Sequence, residues 1–264
     1  MHPLVGIEVP KNRVAVHWFG QSTFAVKSPG GTILHIDPYF PNTRPAEKYK
    51  HAQPPLIESE LPVSGVLLTH DHSDHTHPES LARIHAAFPK AVYAGPTESL
   101  KRVLDQKTGI TESQFTLVNA GSTFTVGDFT AHFVYSKPPQ GDPNAKIGPP
   151  DVTHLGFVLV CGNVRIYYTG DPIHTFADLP ELTEPVKALK PEVGWFTCHP
   201  SEGEFPFFAG SVKHAQKTGV RVAFPSHYDC FAKRDYNPNE WAKGFAGTGI
   251  ETRQVAYNQM TMVL

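Results

Sequence analysis

The first part of the chain alternates short apolar runs with turn signals. The runs RVAVHWFG, TFAVKS and TILHID are rich in β-branched and aromatic residues, and the segment PGG separates the second run from the third. Short runs of this composition, bounded by Gly and Pro, are typical of strands joined by tight connections. We therefore predict an antiparallel meander over residues 13–37, followed by a proline-containing surface loop over residues 38–60.

Strands and helices alternate in the next segment. VSGVLLTH predicts a buried strand, and PESLARIHAAF predicts a helix that opens at Pro78, because Pro is tolerated in the first helical turn. AVYAG predicts another strand, and TESLKRVLDQ predicts a second helix with Thr97 as its cap.

The second half of the chain coarsely repeats this organisation. Its predicted strands are FTLV, STFTV, DFTAHFVYS, THLGFVLV, NVRIYYTGD, VGWFTCH, VRVAFPSH, ETRQVAY and MTMVL, and its helices lie around AGSVKHAQKTG and NPNEWAKGF. The Pro- and Gly-rich segment 137–151 is long enough for an active-site flap, and a structureless linker is the alternative. Two strand-rich halves, each followed by helices, predict an α+β fold of two packed sheets with helices outside, as one domain over residues 1–264.

Composition narrows the class of protein. The chain has 264 residues, 40% hydrophobic and 18% charged, with a net charge of -2, so it can form an ordinary core and shows no basic footprint for nucleic acid. No apolar run approaches the ~18 residues of a membrane span, and the N-terminus lacks the pattern of a signal peptide. Cys161, Cys198 and Cys230 have no zinc-like spacing. We therefore expect reduced thiols, a cytoplasmic location and no nucleic-acid partner.

The densest polar cluster follows the predicted strand VSGVLLTH. It reads His70-Asp71-His72-Ser73-Asp74-His75, in a chain with 15 histidines. A tight turn after a buried strand can direct alternate side chains at one point, so we expect His70 and His72 to converge on one cation. Asp74 and His75 would reach a second cation, and this mixture of imidazole and carboxylate suits zinc, manganese or iron. The alternative, a solvated polar loop, explains one histidine better than it explains this pattern.

Further ligands are expected where other predicted strands begin or end. Asp171 ends NVRIYYTGD and is placed to bridge two metals, although a carboxylate there also suits a helix cap. His227 ends the strand VRVAFPSH, and His154 precedes the apolar run LGFVLV. His132, within DFTAHFVYS, competes with His154 for the same role.

THDHSDH, the later TGD and PSHYD, in this chain order, resemble the metallo-β-lactamase superfamily. The opening HWFGQSTFAVKSPGGTILHIDPYF resembles, within it, the branch of L-ascorbate-6-phosphate lactonases and related metal-dependent hydrolases. That branch begins with roughly W-x-G-H-[AS]-[ST] and later has a strand ending in D-P, here Asp37-Pro38. The likeness covers residues 13 to about 230.

This resemblance implies a four-layer αββα sandwich with metals at one edge, between the sheets. Carried over by position, a first metal is held by His70, His72 and a third histidine, and a second metal by Asp74, His75 and His227, with Asp171 bridging. The chain departs from the branch at Gln21, where His is common, and at Lys137, where the branch often has its third histidine. His154 fits the general superfamily spacing to Asp171, with His132 as the second choice.

The expected chemistry is hydrolysis by a metal-bound hydroxide. Two divalent cations, zinc or manganese with iron as a third option, acidify a water so that hydroxide exists at neutral pH, and Asp74 orients it and accepts its proton. No G-x-S-x-G nucleophile motif competes. His174, His199 and Tyr228 are candidate substrate contacts, and each is equally consistent with a structural role.

We expect a small-molecule ester as the substrate, most specifically a lactone, by resemblance. A phosphodiesterase is the close alternative within the same chemistry, and a non-catalytic metal-binding protein on this fold is the alternative of another class. The resemblance is also compatible with a homo-oligomer.

Overall fold

The antiparallel meander predicted at the start of the chain begins the first of two mixed sheets. A computed structural model describes residues 2–199, 203 and 205–264. The first sheet has the order β14-β1-β2-β3-β4-β5-β6. Its strands are β1 (Val14–Trp18), β2 (Phe24–Lys27), β3 (Ile33–Ile36), β4 (Gly65–Leu67), β5 (Val92–Gly95), β6 (Phe115–Leu117) and β14 (Gln259–Val263).

The second sheet repeats the plan of the first, as the coarse echo between the two halves predicted. Its order is β13-β12-β11-β10-β9-β8-β7. Its strands are β7 (Thr123–Val126), β8 (Phe129–Tyr135), β9 (Leu155–Cys161), β10 (Val164–Tyr168), β11 (Val193–Thr197), β12 (Val222–Ser226) and β13 (Glu251–Thr252). In each sheet the hairpin strands pair antiparallel, and the strands connected through helices pair parallel.

Helices cover the outer face of each sheet. They are α1 (Pro3–Gly6), α2 (Pro78–Ala87), α3 (Thr97–Asp105), α4 (Pro180–Ala188), α5 (Phe208–Thr218) and α6 (Pro238–Lys243). One apolar cluster joins α2 and α3 to the first sheet, and another joins α4, α5 and α6 to the second. The predicted α+β architecture, a four-layer αββα sandwich, is confirmed.

The inner faces of the two sheets enclose the main core. Large rings dominate it: Trp18 and Phe24 from the first sheet meet Tyr168, Trp195 and Phe224 from the second. Phe24 contacts both Tyr168 and Trp195 edge to face, with ring centroids 5.1 and 4.9 Å apart. Buried aromatic rings remove a large apolar area from water, and they therefore stabilise the packing of the two sheets against each other.

One local prediction was wrong, and one helix was not predicted. Thr97 was expected to cap α3, but it is the first helical residue, Pro96 occupies the cap position, and no side chain caps the end. Helix α4 was not predicted at all, because Pro180 and Pro185 obscured its pattern. Pro180 lies where Pro is favoured, in the first turn, whereas Pro185 is tolerated inside the helix. Leu182 and Val186, each buried on the second sheet, offset its cost.

Among the described residues, no helix combines the length and the apolar character that crossing a membrane requires.

Candidate metal centre

The turn that follows β4 is closed by its own hydrogen bonds. The backbone N–H groups of His75 and Thr76 both donate to the carbonyl of His72, at 3.0 and 2.8 Å, and Thr76 Oγ1 donates to the carbonyl of His70 at 2.8 Å. Asp71 takes no part in the cluster, because its carboxylate accepts a hydrogen bond from Arg102 of α3. The turn is therefore rigid, and it separates Asp71 from the other polar side chains of the motif.

The second sheet brings three more polar side chains to the same edge. Asp171 follows β10, His227 follows β12, and His154 directly precedes β9. All three are buried. Strands that run parallel end at the same edge of a sheet, which places Asp171 and His227 side by side. His154 joins them because β9 runs antiparallel to β10 and starts where β10 ends.

One group of potential ligands consists of His70, His72 and His154. One ring nitrogen from each lies within 4.8 Å of the others. The His70 and His154 rings are stacked with centroids 4.1 Å apart. His72 is partly exposed, and its Nε2 lies 2.9 Å from Oδ2 of Asp151 in the loop before β9. This group therefore opens toward solvent through His72.

The other group consists of Asp74, His75 and His227, again with ligand atoms within 4.8 Å of one another. Asp171 lies between the two groups. Its Oδ1 is 3.3 Å from Nε2 of His227, while its Oδ2 is 3.5 Å from Nε2 of His75 and 3.7 Å from Nε2 of His70. One carboxylate thus faces imidazoles from both groups.

Several of these donor atoms are buried without a hydrogen bond. Within the described part of the chain, Nε2 of His70, Nε2 of His75 and both ring nitrogens of His154 have no hydrogen-bond partner. An unpaired buried polar atom costs roughly 1–3 kcal/mol, so several at one point require an explanation. A divalent cation accepts electron pairs from imidazole and carboxylate, and the residues present therefore fit a metal.

Electrostatics indicate the same need for positive charge. Burial alone would raise the pKa of Asp171, but the rings of His227 and His75 hold that pKa well below its usual value. Burial lowers the pKa of His75, yet Asp171, Asp37 and Asp74 together raise it well above its usual value. Without a cation, a proton on His75 is the charge that compensates these carboxylates.

Two imidazoles of the other group, those of His70 and His154, are held neutral, as metal ligands must be. Burial lowers the pKa of His70 well below its usual value. Burial, followed by the charge of Lys137, lowers the pKa of His154 to about 3. A neutral imidazole keeps a lone pair for a cation, so no proton has to be displaced.

Asp37 supports the cluster from beneath, and the sequence reasoning missed this role. Its Oδ2 accepts hydrogen bonds from Nδ1 of His75 at 2.7 Å and from Oγ1 of Thr69 at 2.6 Å, and its Oδ1 accepts from the backbone of Thr69 at 2.8 Å. Such a partner fixes the ring orientation and leaves Nε2 facing the cluster. The available signal was the carboxylate in the D-P pair after β3.

Gln21, predicted only as a departure from the branch, also contacts the cluster. Its Nε2 lies 2.8 Å from Oδ2 of Asp74 and 2.9 Å from Nε2 of His227. Position 21 therefore still carries a polar side chain beside the cluster, an amide where the branch commonly has the imidazole of a histidine.

His132 and Lys137 lie outside the two groups. His132 is in the middle of β8 and faces outward into a groove beside α4, lined also by Glu181 and Leu182. The structure thus brings His154, and not His132, to His70 and His72. Lys137 is buried and lines a cavity beside His72.

The three predicted substrate contacts differ in their positions. The His199 ring lies 5.7 Å from that of His227, so it borders the cluster. His174 follows Asp171 by three positions and is half-buried. Tyr228 points the other way, into the core between the sheets, where its ring packs on Trp18 and Tyr236 at 4.6 and 4.9 Å. The Tyr228 ring therefore belongs to the core between the sheets, and its role as a substrate contact stays a prediction.

The two larger cavities beside the cluster lie at Asp74 and at His72. One of about 450 Å³ opens on Asp74 and Tyr39, and cations line its outer part: Lys48, Lys233 and Arg234. The other, of about 360 Å³, lies beside His72 and is walled by the Pro- and Gly-rich loop predicted as a flap. Both are of the size that small-molecule ligands occupy.

Comparison with known proteins supplies independent information. Residues 32–228 match the family model described as the β-lactamase superfamily domain. The chain is 29% identical over 230 residues to the UPF0173 metal-dependent hydrolase of Myxococcus xanthus, covering 84% of this chain and 72% of that protein.

Solved structures share the fold. An isothiocyanate hydrolase from Delia radicum gut bacteria superimposes with a TM-score of 0.69 at 16% identity, covering 94% of this chain and 98% of that one. The metallo hydrolase Igni18 from Ignicoccus hospitalis gives a TM-score of 0.65 at 17% identity, covering 96% and 99%.

Proposed function

Because this chain belongs to the metallo-β-lactamase superfamily, and is a metal-dependent hydrolase, we propose that it hydrolyses a small-molecule ester, with a lactone as the first candidate. The observation that carries the proposal is the position of Asp171 between two groups of potential ligands. A carboxylate shared in this way suits a pair of ions rather than one.

The proposed ligand set follows these groups. One ion would be held by His70, His72 and His154. The other would be held by Asp74, His75 and His227, and Asp171 would bind both ions. Zinc and manganese suit this mixture of nitrogen and oxygen donors, and iron is the third option. When bound, such ions supply Lewis acidity, which lowers the pKa of water toward neutrality and polarises the ester carbonyl.

The protein's own contribution is orientation and proton transfer. Burial would raise the pKa of Asp74, but His75 and His227 lower it below its ordinary value. Asp74 is therefore an ionised carboxylate, and Gln21 holds one of its oxygens at 2.8 Å. We assign to it the orientation of the attacking water and the acceptance of its proton. His199 and His174 border the site and remain our candidates for contacts to substrate.

The cavity beside Asp74 points to a substrate that carries negative charge. Within the described residues, Lys48, Lys233 and Arg234 form no ion pair, although the carboxylates of Glu47 and Asp74 line the same cavity. Cations without carboxylate partners around a concave site attract and orient anions. A lactone with a carboxylate or phosphate group would meet both the ions and this wall.

We place the reaction in the cytoplasm. Cys161, Cys198 and Cys230 are all buried free thiols, and burial raises the pKa of Cys161 and Cys230 to about 11. Such thiols are typical of proteins from a reducing compartment.

The test combines elemental analysis with a substrate panel on one purified sample. The panel contains a phosphorylated sugar lactone, its unphosphorylated form, a homoserine lactone and bis-p-nitrophenyl phosphate, each with manganese or zinc. About two ions per chain, with lactone turnover that is lost in His72→Ala, is the expected result.

Other outcomes select other functions. Turnover of the phosphodiester alone would replace the lactonase by a phosphodiesterase. Bound metal with no turnover of any substrate would support a non-catalytic metal-binding protein. Absence of bound metal would exclude the proposed hydrolysis by two ions.

A further inference from the structure

The backbone of Gln21 is fixed to the segment that carries His227. The N–H of Gln21 donates to the carbonyl of Tyr228 at 2.8 Å, and the N–H of His227 donates to the carbonyl of Gln21 at 2.9 Å. The same carbonyl accepts from Nε1 of Trp18 at 2.9 Å. Gln21 has a φ of 52°, in the left-handed region that non-glycine residues rarely adopt. This conformation is therefore maintained by three surrounding hydrogen bonds.

The fixed backbone delivers the side chain to two potential ligands at once. The terminal amide group lies 2.8 Å from Oδ2 of Asp74 and 2.9 Å from Nε2 of His227. Gln21 is only 1% exposed, and its Oε1 has no hydrogen bond among the described residues. The distances from this amide group to Asp74 and His227 are also those expected between two atoms that bind the same cation. Each such atom lies about 2.0–2.2 Å from the ion, so two neighbouring ones lie near 3 Å from each other.

An amide keeps its shape when it turns by half a revolution and exchanges oxygen for nitrogen. With the nitrogen facing Asp74 and His227, the amide hydrogens point at the position that a cation would share with those residues. With the oxygen there, a lone pair faces the cation instead. We propose that Gln21 binds the ion held by Asp74, His75 and His227 through its amide oxygen; this rests on the function proposed above.

The two positions would then differ in their preference for metals. The first position is surrounded by three imidazoles and one carboxylate. The second gains a neutral oxygen and has two imidazoles, two carboxylates and one amide. Oxygen-rich sites of higher coordination number favour harder ions, whereas four-coordinate nitrogen-rich sites favour zinc. Gln21 is thus a residue that biases the second position toward manganese.

Calorimetric titration of the metal-free 264-residue chain with Mn²⁺, and separately with Zn²⁺, tests this role. Gln21→Asn tolerates the left-handed backbone but is one methylene too short to reach the ion. We expect it to weaken the second Mn²⁺ at least tenfold, to leave the first ion unchanged, and to affect Zn²⁺ less. Gln21→Glu keeps the length and supplies a charged oxygen, so it should bind the second Mn²⁺ at least as tightly as the wild type.

The controls separate this proposal from the one on which it rests. Gln254→Glu adds the same charge at an exposed position and should bind both ions as the wild type does. Unfolding temperatures in chelator establish that each variant is folded. Unchanged Mn²⁺ affinity in Gln21→Asn, or weaker affinity in Gln21→Glu, would show that the amide only donates hydrogen bonds and would overturn the proposal. A wild type that takes up no second ion would refute the two-metal hydrolase itself.

Discussion

The carboxylate of Asp37 lies 2.7 Å from Nδ1 of His75, and both side chains are fully shielded from solvent. Asp37 belongs to the end of β3 and His75 to the turn after the neighbouring strand β4, so a pairing between two strands of one sheet fixes a candidate metal ligand. Burial raises the pKa of Asp37, opposed by His75 and Thr69, and the carboxylate therefore depends on these partners.

We predict that Asp37→Asn weakens metal binding by about 10–100-fold, the usual effect of losing the partner of a ligating histidine. The amide cannot accept a strong charge-assisted bond from His75, so the ring loses its orientation. Metal affinity measured by competition with a chromophoric chelator checks this. Asp178→Asn, which removes an exposed carboxylate paired with Lys213, should leave the affinity unchanged.

The third histidine of the first position can be identified by a pair of variants. We expect His154→Ala to lose one ion and to lower kcat/KM at least ~100-fold, because a ligand is removed from the catalytic centre. His132→Ala, in the same half of the chain but on the outer face of β8, should retain both ions and full activity. If His132→Ala were the variant that loses metal, the assignment of His154 would be wrong.

Removing the ions should destabilise the folded chain. Each ion bound at a hundredfold excess over its Kd contributes about 2.7 kcal/mol, which corresponds to a decrease in Tm of roughly 5–10 °C for each ion that is chelated. In Asp171→Ala the carboxylate shared by both groups is absent, so chelator should shift Tm much less. Scanning calorimetry with and without chelator measures both proteins, and equal shifts would argue against a shared ligand.

Acid should destabilise the protein partly through His35, which lies on the outer face of β3. Burial, with smaller effects of His2 and His17, lowers the pKa of His35 to about 3. The unfolded chain takes up this proton near pH 6.5 and the folded chain does not, so stability is retained above pH 6.5 and lost as pH falls toward 3.

The variant His35→Leu has no such proton to bind. Between pH 6 and pH 4 we expect the free energy of unfolding of the wild type to fall faster than that of the variant, by about 1.4 kcal/mol per pH unit. Urea unfolding at several pH values provides the comparison. Parallel curves for the two proteins would show that His35 is protonated in the folded state.

The cationic wall of the larger cavity predicts a charge-dependent KM. With an anionic lactone, Lys233→Ala combined with Arg234→Ala should raise KM several-fold and leave kcat almost unchanged, because the lost interaction is made equally in the ground and transition states. The uncharged lactone serves as the control and should show no change in KM. A loss of kcat with both substrates would instead place these residues in the catalytic step.

The sequence was most informative where polar residues follow apolar strands. These residues lie in the turns and loops after strands, so their gathering at one edge could be expected from the chain pattern: His70, His72, Asp74, His75, Asp171 and His227. Pro78 likewise marked the start of α2, and the meander of β1, β2 and β3 followed from the spacing of turn residues.

The remaining features depend on tertiary packing. His132 lies in mid-strand in β8 beside α4, whereas His154 lies at the end of β9 that meets the cluster, and this difference depends on where the strands end in the sheet. Asp37 and Gln21 reach the site through strand pairing and a strained turn, which single-residue patterns do not encode. Tyr228 adjoins His227 in sequence, yet its ring packs between the sheets on Trp18 and Tyr236.

The division of the candidate ligands between the two sheets has a consequence for folding kinetics. Four of the seven candidate ligands come with the first sheet and three with the second, so the complete set exists only after the sheets have docked. A metal pair bound there would link residues that are far apart in the sequence and so close long chain loops. Closing these loops lowers the conformational entropy of the chain late in folding, and that entropy is regained only when the ions are released. Because each ion would join ligands from both sheets, the sheets could not separate while the ions stay fully coordinated. The dissociation rate of metal and the global unfolding rate should therefore approach each other, and amide exchange at β4 and β12 should slow together when metal is added.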